Sequence, residues 1–161
     1  MNKHVLSVLV ENHSGVLSRI AGLFSRRGYN IDSLSVGVTE NPNLSRMTIT
    51  VTGDDYILEQ IKKQLNKLID VIKVIELKPD KSVYRDLVLI KVKADAKDRA
   101  SINETVNIFR ANIIDVSAET LTIELTGDAG KISAFVEVMK PYGIMELVRT
   151  GFTGIQRATS Q

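Results

Sequence analysis

At 161 residues the chain has room for one ordinary domain or two very small ones, and a chain of that size buries roughly 70% of its unfolded surface. Apolar residues make up 43% and charged residues 25%, a composition that excludes a disordered, fibrous or membrane-spanning chain. There is no cysteine, which excludes a disulfide scaffold, a thiolate nucleophile, an iron–sulfur cluster and a cysteine-rich zinc site, and points to a cytoplasmic compartment. The net charge is +2, with 10 basic and 9 acidic residues in positions 1–80 and 11 and 10 in positions 81–161, so neither half is a polyelectrolyte.

The first apolar stretch, Val5 to Val10, is broken by Ser7 and is too short for a signal-peptide core or a membrane span. It reads as a strand with Leu6, Val8 and Val10 on one face. After Ser14-Gly15, the residues Val16, Leu17, Ile20, Leu23 and Phe24 recur at helical spacing up to Gly28, a good C-terminal cap. From Ile31 to Val38, Leu34, Val36 and Val38 alternate with Ser33, Ser35 and Gly37. A turn at Asn41-Pro42-Asn43 follows, and then Met47, Ile49 and Val51 alternate with threonines, which predicts a hairpin. Asp54 is placed to cap a second helix striped by Ile57, Ile61, Leu65 and Leu68. Val71 to Leu77 closes the series as a strand, ahead of Pro79-Asp80.

The same order then recurs. Arg46-Met47-Thr48-Ile49-Thr50-Val51-Thr52-Gly53-Asp54 is echoed by Thr120-Leu121-Thr122-Ile123-Glu124-Leu125-Thr126-Gly127-Asp128, and Leu23-Phe24-Ser25-Arg26 with Asn30-Ile31-Asp32 by Ile108-Phe109-Arg110 with Ile113-Ile114-Asp115. Two ordered matches indicate a duplicated unit of about 75 residues. The second unit predicts strands over 87–92, 113–116, 121–125 and 145–149, and helices over 102–110 and 132–139. The fold class is α+β: two tandem ferredoxin-like βαββαβ domains, residues 1–78 and 79–161, each with two helices on one face of an antiparallel sheet. The tail after Thr150, with Gly151, Gly154 and the polar end Thr159-Ser160-Gln161, reads as loosely held.

The catalytic inventory is poor: two histidines, and none of the G-x-S-x-G, H-E-x-x-H, Walker A or G-x-G-x-x-G patterns. His4 and His13 read as surface residues, because neither has a carboxylate at metal-ligand spacing, so no metal site is expected. The sharpest local feature is the strand-to-helix turn Glu11-Asn12-His13-Ser14-Gly15-Val16-Leu17. A helix N-terminus offers unpaired N–H groups and partial positive charge to a carboxylate, and glycine lets a ligand approach the backbone. Asn12 has both donor and acceptor atoms for an amino group, and Asn30, at the entry to the second strand, is expected nearby across the sheet. Taken alone, a capped turn with Ser14 or Asn12 as N-cap explains the segment more economically. The equivalent turn of the second unit, Lys97 to Ser101, has no glycine, so only the first unit is expected to bind a ligand.

Leu6-Ser7-Val8-Leu9-Val10-Glu11-Asn12 followed by Gly15-Val16-Leu17-Ser18-Arg19-Ile20 resembles an ACT domain, the effector-binding module of amino-acid metabolism. Leu23 to Leu34, Leu44 to Ile49, and in the second half Phe109-Arg110, Ile113 to Val116 and Gly130-Lys131 extend the likeness to the small-subunit family of acetolactate synthase, over residues 3 to about 157. The resemblance implies a noncatalytic cytoplasmic partner of a large, catalytic subunit that itself carries thiamine diphosphate, Mg and FAD, this chain carrying no cofactor. It implies activation of that subunit, feedback inhibition by valine, and a homodimer formed through the ACT domains, with no role for nucleic acid or membrane.

Carried over by position, the effector site comprises Asn12, His13, Gly15, Val16 and Leu17, completed by Asn30 and Ile31 from the other protomer, with Leu17, Ile31 and Val36 as its apolar wall. Position 13 is commonly acidic in this family. The hairpin loop from Glu40 to Arg46 is the expected contact with the large subunit, although Arg46 reads equally well as a solvated strand end. A generic ACT-type sensor of some other enzyme or transcription factor is the alternative. An RNA-binding tandem is disfavoured because the central strands carry no aromatic residue for base stacking.

Overall fold

The computed structural model describes residues 2–158, so Met1 and the polar end Thr159-Ser160-Gln161 lie outside the described residues. The chain forms two units, residues 2–84 together with 152–158, and residues 85–151. The boundary therefore falls at Tyr84/Arg85 rather than at 78/79, and the chain from Phe152 onward groups with the first unit.

In the first unit, β1 (Asn2–Glu11), α1 (Val16–Arg26), β2 (Ile31–Val38), β3 (Leu44–Gly53), α2 (Asp55–Asn66) and β4 (Val71–Glu76) follow the expected βαββαβ order. The antiparallel sheet has strand order β2-β3-β1-β4. Leu6 pairs with Ile49 and Val8 with Met47, so the period-2 apolar residues of both central strands fall on one face. Against that face pack Val16, Ile20, Leu23 and Phe24 of α1 and Leu58, Ile61 and Leu65 of α2, the three-and-four spacing laying each set along one stripe.

Asp54 caps α2 as the sequence predicts, its carboxylate accepting from the Ile57 N–H at 2.8 Å. Gly28 closes α1: at φ +70° it donates to the Ser25 carbonyl, and the Tyr29 N–H reaches back to the Phe24 carbonyl. This paired reach-back satisfies carbonyls that the helix end would otherwise leave open.

The tail is ordered, contrary to expectation. β8 runs Ile144–Gln156, well beyond Arg149. Ser35 Oγ donates to the Phe152 carbonyl at 3.3 Å, the Gly154 N–H donates to Thr48 Oγ1 at 3.4 Å, and the Arg157 N–H donates to the Lys81 carbonyl at 2.8 Å. Phe152 also stacks at 5.9 Å on Tyr84. These residues lie over the sheet face that carries no helix, where Ser7, Thr48 and Thr50 are consequently buried. Gly154 marks close packing rather than looseness, since a Cβ there would stand 2.9 Å from both Leu77 and Tyr84.

The second unit contains β5 (Ser82–Lys93, entering from residue 85), α3 (Arg99–Ile108), β6 (Asn112–Val116), β7 (Thr120–Gly127), α4 (Ala129–Met139) and the first part of β8, with strand order β6-β7-β5-β8. Its core repeats the first: Val88, Ile90 and Val92 face Leu125, Ile123 and Leu121, under Ile102, Val106, Ile132 and Phe135. Asp128 caps α4 through the Lys131 N–H at 2.9 Å, as Asp54 caps α2. α3 ends with the same paired reach-back, from Arg110 to Asn107 and from Ala111 to Val106, but here an arginine takes the left-handed position, at φ +55°.

Candidate functional site

The β1–α1 turn is pinned from two sides. Glu11 donates its N–H to the Asp70 carbonyl at 2.9 Å, and Asn12 donates its N–H to the Asn43 carbonyl at 2.8 Å and its Nδ2 to the Pro42 carbonyl at 3.0 Å. Asn12 is thus held on the β2–β3 hairpin, and neither it nor Ser14 caps the helix. The N-cap of α1 is Gly15 itself, at φ +89° and ψ −13°, with no side-chain hydrogen bond to the first turn. The capped-turn reading therefore fails. Among the helices of the described residues, α2 and α4 start on an aspartate that satisfies one of their N–H groups, α3 starts on Asp98 with no side-chain cap, and α1 alone opens on a glycine, in a conformation that side-chain-bearing residues rarely adopt.

Around this turn the fold gathers charged groups that are far apart in sequence. His13 Nε2 stands 2.9 Å from Asp70 Oδ1 and 3.3 Å from Glu11 Oε2, and Nδ1 stands 3.2 Å from the Ser14 carbonyl. Arg19 Nε donates to Asp70 Oδ2 at 2.5 Å, which leaves the guanidinium over Gly15, where a Cβ would come within 3.1 Å of Nη1. The expectation that His13 lacks a carboxylate neighbour is thus corrected: it has two. Asp70 and Arg19 were absent from the predicted site. Asp70 precedes β4, and in a split βαβ unit β4 lies beside β1, so a carboxylate just ahead of that strand was the available signal.

The network shifts Asp70 and His13. The hydrogen bond from Arg19 holds Asp70 below its ordinary carboxyl value of 3.8, against the opposing effect of burial, and the charges of Arg19 and His13 add to the lowering. The hydrogen bond to the Ser14 carbonyl raises His13 above 6.5, burial opposes this, and the Asp70 and Glu11 carboxylates contribute in the same direction as the hydrogen bond. A depressed carboxyl stabilises the fold above its unfolded value, and this contribution fades as pH falls through the lower folded value. A raised imidazole stabilises below 6.5, and this contribution fades as pH rises through the higher folded value. Both contributions are present together between about pH 4 and 6.5. Urea midpoints measured from pH 3 to 9 should therefore lose part of their alkaline decline in His13→Gln and part of their acid decline in Asp70→Asn.

The remaining predicted residues divide. Val16 is buried in the core and offers the turn only its backbone, whereas Leu17 is exposed on the first turn of α1. Val36 and Val38 are 49% and 62% exposed on the helix-bearing face of the edge strand β2. They lie at the end that holds Gly15, because Val38 pairs with Ser45 and Ser45 with Val10. Asn30 and Ile31 do not join them within one chain. Ile31 pairs with Val51, which pairs with His4, at the opposite end of the sheet, and the 11 residues of α1 separate the two ends by about 16 Å. Asn30 instead donates to Asp32 at 3.1 Å. The expectation that Asn30 stands near Asn12 across the sheet is therefore wrong for a single chain: β2 begins where α1 ends. Glu40 is exposed in the hairpin loop, and Arg46, exposed on the sheet face that carries no helix, donates from Nη1 to Ser7 Oγ at 3.2 Å. No helix among the described residues is long and apolar enough to cross a membrane.

Comparison with known proteins agrees with this architecture. The family described as small subunit of acetolactate synthase matches residues 85–158, and the AHAS small subunit-like ACT domain matches residues 6–73. The acetolactate synthase small subunit of Mycobacterium bovis is 56% identical over 154 residues, 96% of this chain and 92% of that one. The probable acetolactate synthase small subunit of Archaeoglobus fulgidus is 55% identical over 159 residues, 99% of each chain. The crystal structure of the acetolactate synthase small subunit from Thermotoga maritima matches with a TM-score of 0.93 at 43% identity, covering 99% of this chain and 100% of that one. The chain, with two βαββαβ units and a glycine-opened turn in the first, belongs to the family of acetolactate synthase small subunits.

Proposed function

We propose that the chain is a regulatory subunit that activates the cytoplasmic catalytic subunit of acetolactate synthase and makes it sensitive to valine. The observation that carries the effector site is the opening of α1: a left-handed glycine, no side-chain cap, and a first turn whose N–H groups suit the carboxylate of an amino acid. The exposed Leu17, Val36 and Val38 supply an apolar surface for a branched side chain at the same end of the unit. Thiamine diphosphate, Mg and FAD belong in this reading to the catalytic subunit, and this chain carries no cofactor.

A homodimer completes the site. β2 is an edge strand, and an exposed edge with apolar residues beside it invites pairing with another strand. Antiparallel pairing of two β2 edges about a two-fold axis would set Asn30 and Ile31 of a second copy at the end of the first that holds Gly15. The amide of Asn12, already donated to Pro42, still offers its oxygen to an ammonium group.

For feedback, valine must favour one arrangement of the complex over another, since a ligand with equal affinity for both shifts nothing. The deciding experiment measures acetolactate formation by the large subunit of the same organism, with and without this chain and with and without valine. Stimulation that valine suppresses is the expected result. Activity unchanged in all four conditions, while an established pair responds, would sink the reading and leave a sensor for another partner.

A further inference from the structure

Glu11, His13 and Asp70 converge at the β1–α1 turn from the end of a strand, a loop and the residue ahead of β4, and their ligating atoms all lie within 4.8 Å of one another. We propose that these three side chains form a binding site for a divalent transition metal of the Zn2+ class. Donors bonded to one Zn2+ at about 2.0–2.2 Å stand roughly 3.0–3.6 Å apart at the angles of common coordination shells. His13 Nε2 lies 3.3 Å from Glu11 Oε2, which already has this spacing, and 2.9 Å from Asp70 Oδ1, which must open slightly, as must the two carboxylates relative to each other.

The surroundings orient the donors as metal sites require. A carbonyl oxygen can only accept, so the 3.2 Å contact to Ser14 puts a hydrogen on Nδ1 and aims Nε2 at two carboxylate oxygens. A bare lone pair cannot rest against two anions, so that position takes a cation: a proton, or a metal ion that displaces it. Asp70, its side chain only 7% exposed, is fixed by Arg19 on Oδ2, which leaves Oδ1 for the metal. Two carboxylates against one guanidinium leave net negative charge at the cluster, which favours a divalent ion. His13 and Glu11 are each about half exposed, which gives an ion an entry path and leaves positions for water. One imidazole with two carboxylates suits Zn2+, Co2+ or Mn2+ better than Mg2+ or Ca2+, which prefer all-oxygen shells.

The test uses the full chain, stripped with chelator and titrated with Zn2+ by calorimetry, and with Co2+ by visible absorption. One ion per chain is expected, with affinity weakened more than roughly tenfold in His13→Gln and in Asp70→Asn. His4→Gln should bind as the unsubstituted chain does, because His4 sits elsewhere, on the Gly53 carbonyl and Glu76. Nitrogen NMR separates a ligand from a fold defect: Zn2+ should move the Nε2 resonance of His13 in the unsubstituted chain. Unchanged affinity in His13→Gln, or an Nε2 resonance that responds to acid but not to Zn2+, overturns the proposal and leaves a proton as the only cation there. The amino-acid response of the complex does not enter this readout.

Discussion

Gly15→Asp is expected to abolish inhibition by valine of the complex with the large subunit, while stimulation of acetolactate formation persists. The substituted carboxylate would sit at the N-cap of α1, beside the first N–H groups and the Arg19 guanidinium, though in a left-handed backbone unlike the extended one from which Asp54 and Asp128 cap α2 and α4. The helix would thereby acquire from its own chain the negative group that the effector brings, and would repel a second one. The substitution costs about 1–2 kcal/mol in backbone strain, because residue 15 lies in the left-handed region. Its Cβ meets first the Arg19 guanidinium, at 3.1 Å, which is the far end of a long side chain, so the fold should survive. Gly15→Ala carries the same strain without the charge. Retained inhibition in Gly15→Ala beside its loss in Gly15→Asp identifies the carboxylate as the cause. Unaltered valine sensitivity in Gly15→Asp would remove the turn from the effector site.

Phe135→Ala is the core substitution with the largest expected effect. Phe135 is fully buried on α4 and meets Phe109 edge to face, with ring centroids 5.2 Å apart. Removing a buried aromatic ring costs about 3–5 kcal/mol, through lost burial and the cavity left behind. Native-state hydrogen exchange at Val88, Ile90 and Ile123, on the central strands of that unit, should accelerate by roughly a hundredfold or more, since 1.4 kcal/mol corresponds to about tenfold. Acceleration of only a few-fold would mean that the neighbouring side chains collapse into the space.

How much of this was legible in the sequence follows the range of each interaction. The alternation of Leu34, Val36 and Val38, the helical stripes and the Asp54 cap are local, and each was readable from spacing alone. The duplication made the second unit readable from the first. What escaped depended on strand order. Asp70 reaches His13 only because β4 lies beside β1, and Asn30 is parted from Asn12 because α1 carries the chain to the far end of the sheet. The tail escaped for another reason. Its glycines suggested looseness, yet Gly154 is small because Leu77 and Tyr84 crowd it, and a close approach and a loose segment have the same residue signature.

Gly28 and Arg110 occupy the same position at the ends of α1 and α3, with the same pair of backward hydrogen bonds. Glycine enters that conformation freely, whereas arginine does so at a penalty of about 1–2 kcal/mol. The same turn forms with the residue that makes it easy and without it. A backbone path shared by two repeated units is enforced by everything packed around it, so one half can lack the favourable residue and still repeat the shape. Ancestry in such a protein is recorded more faithfully in its torsion angles than in its letters.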